Sequence, residues 1–135
     1  MERHAKVVIL SHLGRPKGFD PALSLAPLVD ALSAALWDRP VRFSPDCVGN
    51  TARLAVDGAA PGDVILMENL RFHKAEEGND PEFARAMASL GDVYVNDAFS
   101  CSHRAHASIV GLNPHLPSVA GRLMEEEVAA LTRVL

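Results

Sequence analysis

Four short runs of Val, Ile and Leu, separated by stretches of helical periodicity, constrain this chain more than any other feature of its sequence. Lys6 to Leu10, Val41 to Phe43, Val64 to Met67 and Val93 to Val95 have strand length and lack polar alternation, so they read as strands buried on both faces. Between them, Leu25, Leu28, Val29, Leu32, Ala35 and Leu36 recur at three- and four-residue spacing; Val48 to Val56 and then Phe83, Ala86, Met87 and Leu90 repeat the pattern. Ser24 is placed to cap the first helix and Asp46 the second. Asp80-Pro81-Glu82 gives the third an N-cap, a first-turn proline and a favourable negative charge, and Gly91 suits its C-terminus. Pro114 and Pro117 mark a loop, with a further short strand expected at Ser118 to Gly121. The order is βαβαβαβ, and parallel strands need such crossover helices. The expected fold class is α/β: an open, mostly parallel sheet with helices on both faces, a Rossmann-like three-layer sandwich.

Composition narrows what such a fold does. At 135 residues the chain has the size of one domain, and 48% apolar with 22% charged residues argues against disorder. A net charge of −4 provides no global positive field, so nucleic acid is not an expected partner. No run approaches 18 apolar residues, and Met1-Glu2-Arg3-His4 leads into only Val7 to Leu10. These features exclude a membrane helix and a secretory signal. Cys47 and Cys101 are isolated, as expected of reduced thiols in the cytoplasm. The first strand begins within a few residues of Met1, and the last helix, Leu123 to Leu135, is still amphipathic at its final residue. That pattern fits a chain truncated at both ends, or equally a docking helix at a natural C-terminus.

In an open parallel sheet ligands gather outside the carboxyl ends of the strands. After Leu10 comes Ser11-His12-Leu13-Gly14-Arg15-Pro16. After Met67 comes Glu68-Asn69-Leu70-Arg71-Phe72-His73, and after Val95 comes Asn96-Asp97-Ala98-Phe99, then His103-Arg104-Ala105-His106. Three strand ends thus release an Arg and at least one His. If the strands are parallel, His12, Arg15, Arg71, His103, Arg104 and His106 converge along one edge. Guanidinium and imidazole groups collected in this way suit a small phosphorylated or carboxylated molecule. Ten of the thirteen Lys and Arg residues are Arg, the side chain suited to bidentate grips on such groups. His73, beside Lys74, Glu76 and Glu77, reads instead as charged surface, and Asn69 and Asp97 as residues that satisfy backbone groups in turns.

Other chemistries fit less well. Cys101 near His103, His106 and Asp97 is a weak case for a thiol nucleophile, and Cys101-x-His103-x-x-His106 lacks a fourth ligand at zinc spacing, so no metal is expected. Neither GxGxxG nor GxxxxGK[ST] occurs.

The three motifs, in this order and at this spacing, closely resemble those of phosphoglycerate kinases. Val95-Asn96-Asp97-Ala98-Phe99 and His103-Arg104-Ala105-His106-Ala107-Ser108 carry the third. Ser24-Leu25-Ala26-Pro27-Leu28-Val29 and Phe43-Ser44-Pro45-Asp46-Cys47-Val48-Gly49 resemble the family's linking stretches. The resemblance covers nearly the whole chain. It implies a glycolytic phosphotransferase that interconverts 3-phosphoglycerate with ATP and 1,3-bisphosphoglycerate with ADP, with residues 1–122 as part of its N-terminal, glycerate-binding domain and 123–135 as the start of the interdomain hinge helix. It further implies that His12, Leu13, Gly14, Arg15, Arg71 and Arg104 bind the triose substrate, with His103 and His106 in support.

The departures carry expectations of their own. The family's first strand, with its Asp-Phe-Asn-Val-Pro type motif and the transition-state arginine after it, would precede Met1. The domain that binds Mg-ATP or Mg-ADP would follow Leu135. No catalytic residue and no cofactor are therefore expected in this chain, and alone it is expected to be inactive. Ser100-Cys101-Ser102 replaces the more usual Gly-Thr-Ala. Full-length members of the family are usually monomeric, whereas an open sheet edge would let this chain self-associate. A non-catalytic module that binds phosphoglycerate or another small anion is the second reading, and a subunit completing another chain's sheet is the third.

Overall fold

The computed structural model describes residues 4–134, which fall into two compact units, Met1–Lys74 and Ala75–Leu135. The first unit is a three-stranded parallel sheet in the order β1-β3-β2, formed by Val7–Ile9, Val64–Met67 and Val41–Ser44. Val7 and Val41 both pair with Val64, and the register runs on to Ile9 and Phe43 opposite Leu66. Among the described residues only β3 is buried along its whole length, because there it alone has a strand on each side; β1 is half-buried, and in β2 only Ser44 is fully buried. Two-sided burial, expected of every strand, therefore holds for the central one. Leu25, Cys47, Ala52 and Val56 complete this core.

The crossover segments follow the expected helices with local changes. The stretch from Leu25 to Leu36 is a 3₁₀ turn at Ala26–Leu28 leading into α1, Val29–Ala35. Ser24 does not cap this stretch: its Oγ accepts from the Ala26 N–H at 3.1 Å, but the N-cap positions of the turn and of α1 are Leu25 and Leu28, which have no side-chain cap bond. Helix α2 spans Gly49–Asp57, and Asp46 does not cap it. Its carboxylate accepts instead from the Cys47 and Val48 N–H groups, one step before the helix begins.

The second unit holds a one-turn α3, Lys74–Glu77, that reaches back to the unit boundary, and then α4, Pro81–Ala88. A single turn shows no periodicity, so α3 left no signal in the sequence. Asp80 caps α4 as expected, accepting from Phe83 N–H at 2.8 Å with Pro81 in the first turn. Ser89, rather than Gly91, closes the helix. Strand β4, Tyr94–Asn96, pairs in parallel with β5, Ser118–Ala120, in a separate two-stranded sheet. The parallel strands expected from the sequence are present: among the described residues β1 and β2 pair with β3 in the first unit, and β4 pairs with β5 in the second.

A π-helical turn, Ala107–Gly111, packs on α4, burying Ala107 and Ile109 with Phe83, Ala84 and Met87. Helix α5, Arg122–Thr132, closes the described chain, Leu135 lying outside it. No residue of α5 is buried, and Leu123, Val128 and Leu131 are each about half exposed. Gly121 precedes it where a Cβ would stand 2.3 Å from Asp97 Cγ, so only glycine lets the end of β5 approach the loop after β4.

Candidate functional site

In the first unit the chain leaves β1 and β3 at the same edge of the sheet, since the two strands are parallel neighbours. The loop after β1 carries His12, Leu13, Gly14 and Arg15. The loop after β3 forms a one-turn 3₁₀ helix, Leu70–Phe72, with Arg71 in its middle. The two loops are bonded to each other: Leu70 N–H donates to Ser11 O at 3.1 Å, Asn69 Nδ2 to Leu13 O at 2.8 Å, and Arg71 Nη1 to Gly14 O at 2.8 Å. Gly14 takes φ +64°, a left-handed conformation that turns its carbonyl toward Arg71 with little strain.

Asn69 and Glu68 are the rivets of this arrangement. Asn69, 1% exposed, accepts from Arg71 N–H through Oδ1 and donates to both Leu13 O and Leu23 O. Buried Glu68 accepts from Ser24 Oγ, Leu25 N–H and Asn69 N–H, tying the segment after the first loop to the same point. The backbone role expected of Asn69 is therefore present, and it reaches three segments rather than one turn. Arg71 is 8% exposed, whereas Arg15 is exposed and His12 half-buried. One guanidinium is thus buried and bonded and the other exposed, both beyond the carboxyl ends of the strands, the edge at which ligands of open parallel sheets gather.

His73 and Asp46 were not among the residues singled out for the site. His73 Nε2 donates to Asp46 Oδ1 at 2.8 Å, so His73 is a bonded, partly buried residue rather than free surface. Asp46, Cys47 and His73 bring donor atoms within 4.8 Å of one another. Asp46 Oδ1 already accepts from two amides and the imidazole, and hydrogen bonding accounts for that cluster. A cavity of about 220 Å³ lies beside it, lined by Phe19, Pro45, Asp46, Glu68, Asn69, Phe72 and His73. Phe19 meets Phe72 edge-on there, with ring centroids 5.1 Å apart.

In the second unit the chain leaving β4 carries the remaining basic residues. Asp97 accepts from Met124 N–H at the start of α5, the backbone role expected of it. His103 is exposed and Arg104 half-buried. The His106 ring, 13% exposed, lies with Nδ1 3.8 Å from Glu76 Oε1. Glu76 is 3% exposed and accepts from both the N–H and Oγ of Ser108. Its expected place on a charged surface is therefore corrected: a carboxylate bonded twice to Ser108 is stable in the interior, where an unpaired one is not. Tyr94 OH donates to Ser108 O at 2.7 Å. Burial, with the Glu76 charge adding to it, pushes the Tyr94 phenol up to about 12.

No helix among the described residues is long and apolar enough to cross a membrane. The family model described as "Phosphoglycerate kinase" matches residues 1–135. A phosphoglycerate kinase of Rhodospirillum centenum is 60% identical over 132 residues, covering 97% of this chain and 33% of that protein. One from Xanthobacter flavus is 57% identical over 130 residues, covering 96% and 32%. Among solved structures, phosphoglycerate kinase from Coxiella burnetii superposes with a TM-score of 0.82 at 40% identity, over 98% of this chain and 33% of that one. The Pyrococcus horikoshii enzyme gives 0.85 at 34% identity, over 96% and 33%. The chain spans about a third of the length of the relatives it matches. With an α/β parallel-sheet fold, basic loops at the strand ends and a family match over its whole length, this chain belongs to the phosphoglycerate kinase family.

Proposed function

We propose that this chain is the triose-binding part of a phosphoglycerate kinase, which reversibly moves the γ-phosphoryl group of Mg-ATP onto the carboxylate of 3-phosphoglycerate. The carboxylate oxygen forms the new bond to phosphorus as the bond to the β-phosphate oxygen breaks, giving 1,3-bisphosphoglycerate and ADP. The observation that carries this reading is the Arg71–Gly14 bond, which joins two basic loops at the carboxyl ends of adjacent parallel strands. His12, Leu13, Gly14 and Arg15 shape the pocket in this reading, Arg71 and Arg15 hold the anionic groups, and Arg104 binds the same ligand with His103 and His106 in support.

Phosphoryl transfer depends on positioning and on neutralising charge, so one substrate site without its partner supports binding but not turnover. The sequence contains no glycine-rich phosphate motif, and Mg-ATP is assigned to protein outside these 135 residues. The same reading places the protein in the cytoplasm, with residues 1–122 as triose-binding domain and 123–135 as hinge helix.

Titration of the 135-residue chain with 3-phosphoglycerate tests the proposal. Resonances of His12, Arg15, Arg71 and Arg104 are expected to move together, while a coupled assay with Mg-ATP shows no turnover. Unchanged signals at saturating ligand would overturn the assignment of the site, and turnover above background would overturn the division of labour.

A further inference from the structure

The cluster that the proposed function leaves unused is Asp46 with His73, and it sits two residues beyond Arg71. A one-turn 3₁₀ helix has no stability of its own, because its few hydrogen bonds do not offset the ordering of its backbone. The conformation of Leu70–Phe72, and with it the direction of the Arg71 side chain, therefore depends on what fixes its two ends. The first end is held by Asn69, whose Oδ1 accepts from Arg71 N–H and whose amide nitrogen grips Leu13 O and Leu23 O. The last end is His73, whose N–H donates to Leu70 O and whose ring is bonded to Asp46 at 2.8 Å. Asp46 is itself immobilised, since the same carboxylate oxygen accepts from Cys47 N–H at 2.7 Å and Val48 N–H at 3.3 Å at the exit of β2.

We propose that the Asp46–His73 hydrogen bond is the clamp that sets the Arg71 guanidinium on Gly14 O, making His73 and Asp46 positioning residues of the triose site. The proposal rests on the reading of Arg71 as a substrate-binding residue and adds the reason it stays in place. Exits from all three strands of the sheet are then linked in one path: β2 through Asp46, β3 through His73 and Arg71, and β1 through Gly14. A guanidinium held in this way meets an anion already oriented, so its side-chain entropy is not lost on binding.

The test uses the isotopically labelled 135-residue chain and its His73→Ala, His73→Asn and His73→Gln variants. The Arg71 guanidinium resonances are followed with and without 3-phosphoglycerate. In the parent, the Nη protons bonded to Gly14 O are expected as resolved, slowly exchanging signals. His73→Ala, and His73→Asn whose amide is too short to reach Asp46, lose that signature and bind 3-phosphoglycerate about tenfold more weakly. His73→Gln, whose amide reaches Asp46, restores the signature and binds within about twofold of the parent. Without ligand, backbone signals of His103 to His106 in the three variants match those of the parent. Parent-like Arg71 signals in His73→Asn overturn the proposal, and so does a His73→Gln chain that behaves like His73→Asn. If His73→Ala fails to fold, the other two variants decide the matter. If the parent binds no 3-phosphoglycerate, the triose-site reading fails, and the guanidinium signals still decide whether His73 positions Arg71.

Discussion

Glu76 takes both hydrogen bonds that Ser108 can donate, from its N–H at 3.0 Å and from its hydroxyl, across 32 residues of sequence. The pair fixes the start of the π-helical turn at a point 3% exposed to solvent. Glu76→Ala leaves a part-buried amide and hydroxyl without this partner, and is expected to destabilise the second unit by about 2 kcal/mol. Glu76→Gln keeps an acceptor and is expected to cost about half as much. Urea unfolding followed by circular dichroism measures both, and equal stability of Glu76→Ala and the parent would contradict the role given to this bond.

Tyr94 reports on the same carboxylate. Its phenol is raised from the ordinary 10.0 to about 12, first by burial and then by the Glu76 charge. The fold favours the neutral phenol, so this contribution to stability is fully present below pH 10 and is lost as the pH rises through 12. The chain has one tyrosine, and phenolate absorbance therefore reads it alone. A midpoint near 12 is expected, moving down in Glu76→Gln yet remaining above 10, because burial is the larger cause. A midpoint near 10 with native circular dichroism would refute this account.

The central strand and the α4 cap were legible because their signals are local: four consecutive apolar residues at Val64 to Met67, and Asp80-Pro81 at a helix start. Arg71 was legible as a basic residue at a strand end. Its burial and its bond to Gly14 were not, since the two residues are 57 positions apart. Glu76 was misread for a related physical reason, and the bond from His73 to Asp46 was missed with it. Polar neighbours in sequence suggest surface, but bonding and burial are decided by partners such as Asp46 and Ser108 that only the fold brings close. Which strands pair was equally hidden, because periodicity identifies strands without naming their neighbours.

Arg71 and Arg15 are expected to separate stability from binding. Arg71→Ala removes a buried guanidinium together with the bond to Gly14 O, which calls for a loss of about 2 kcal/mol in stability along with the loss of 3-phosphoglycerate binding. Arg15→Ala removes an exposed side chain, so stability stays within about 0.5 kcal/mol while binding weakens about tenfold or more. Calorimetric titration and thermal melts on the two variants check the contrast. Equal effects on stability would contradict the buried and exposed placements of the two side chains.

Gly14 tests the loop by backbone alone. Its φ of +64° is strained for any residue with a Cβ, and that atom would stand 3.0 Å from Leu23 Cδ2. Gly14→Ala is expected to cost about 1–2 kcal/mol and to weaken triose binding by displacing the carbonyl that Arg71 holds. Gly121→Ala, whose Cβ would meet Asp97 rather than the triose loop, is expected to destabilise the second unit and leave the Arg71 signals unmoved. Chemical shifts of Arg71 in both variants distinguish the two outcomes.

Strands β1 and β4 each have one hydrogen-bonded neighbour among the described residues, and Val95 and Val119 on the two-stranded sheet are more than half exposed. An open strand edge beside exposed valines is a template for another strand, and nothing charged on Tyr94–Asn96 discourages pairing. The isolated 135-residue chain is therefore expected to associate as its concentration rises, with light scattering giving a mass that grows from the monomer. Val95→Lys places a charge on the β4 strand, where desolvating it opposes pairing, and is expected to hold the chain monomeric at concentrations where the parent associates. A parent chain that stays strictly monomeric at high concentration would show that these edges are closed to pairing.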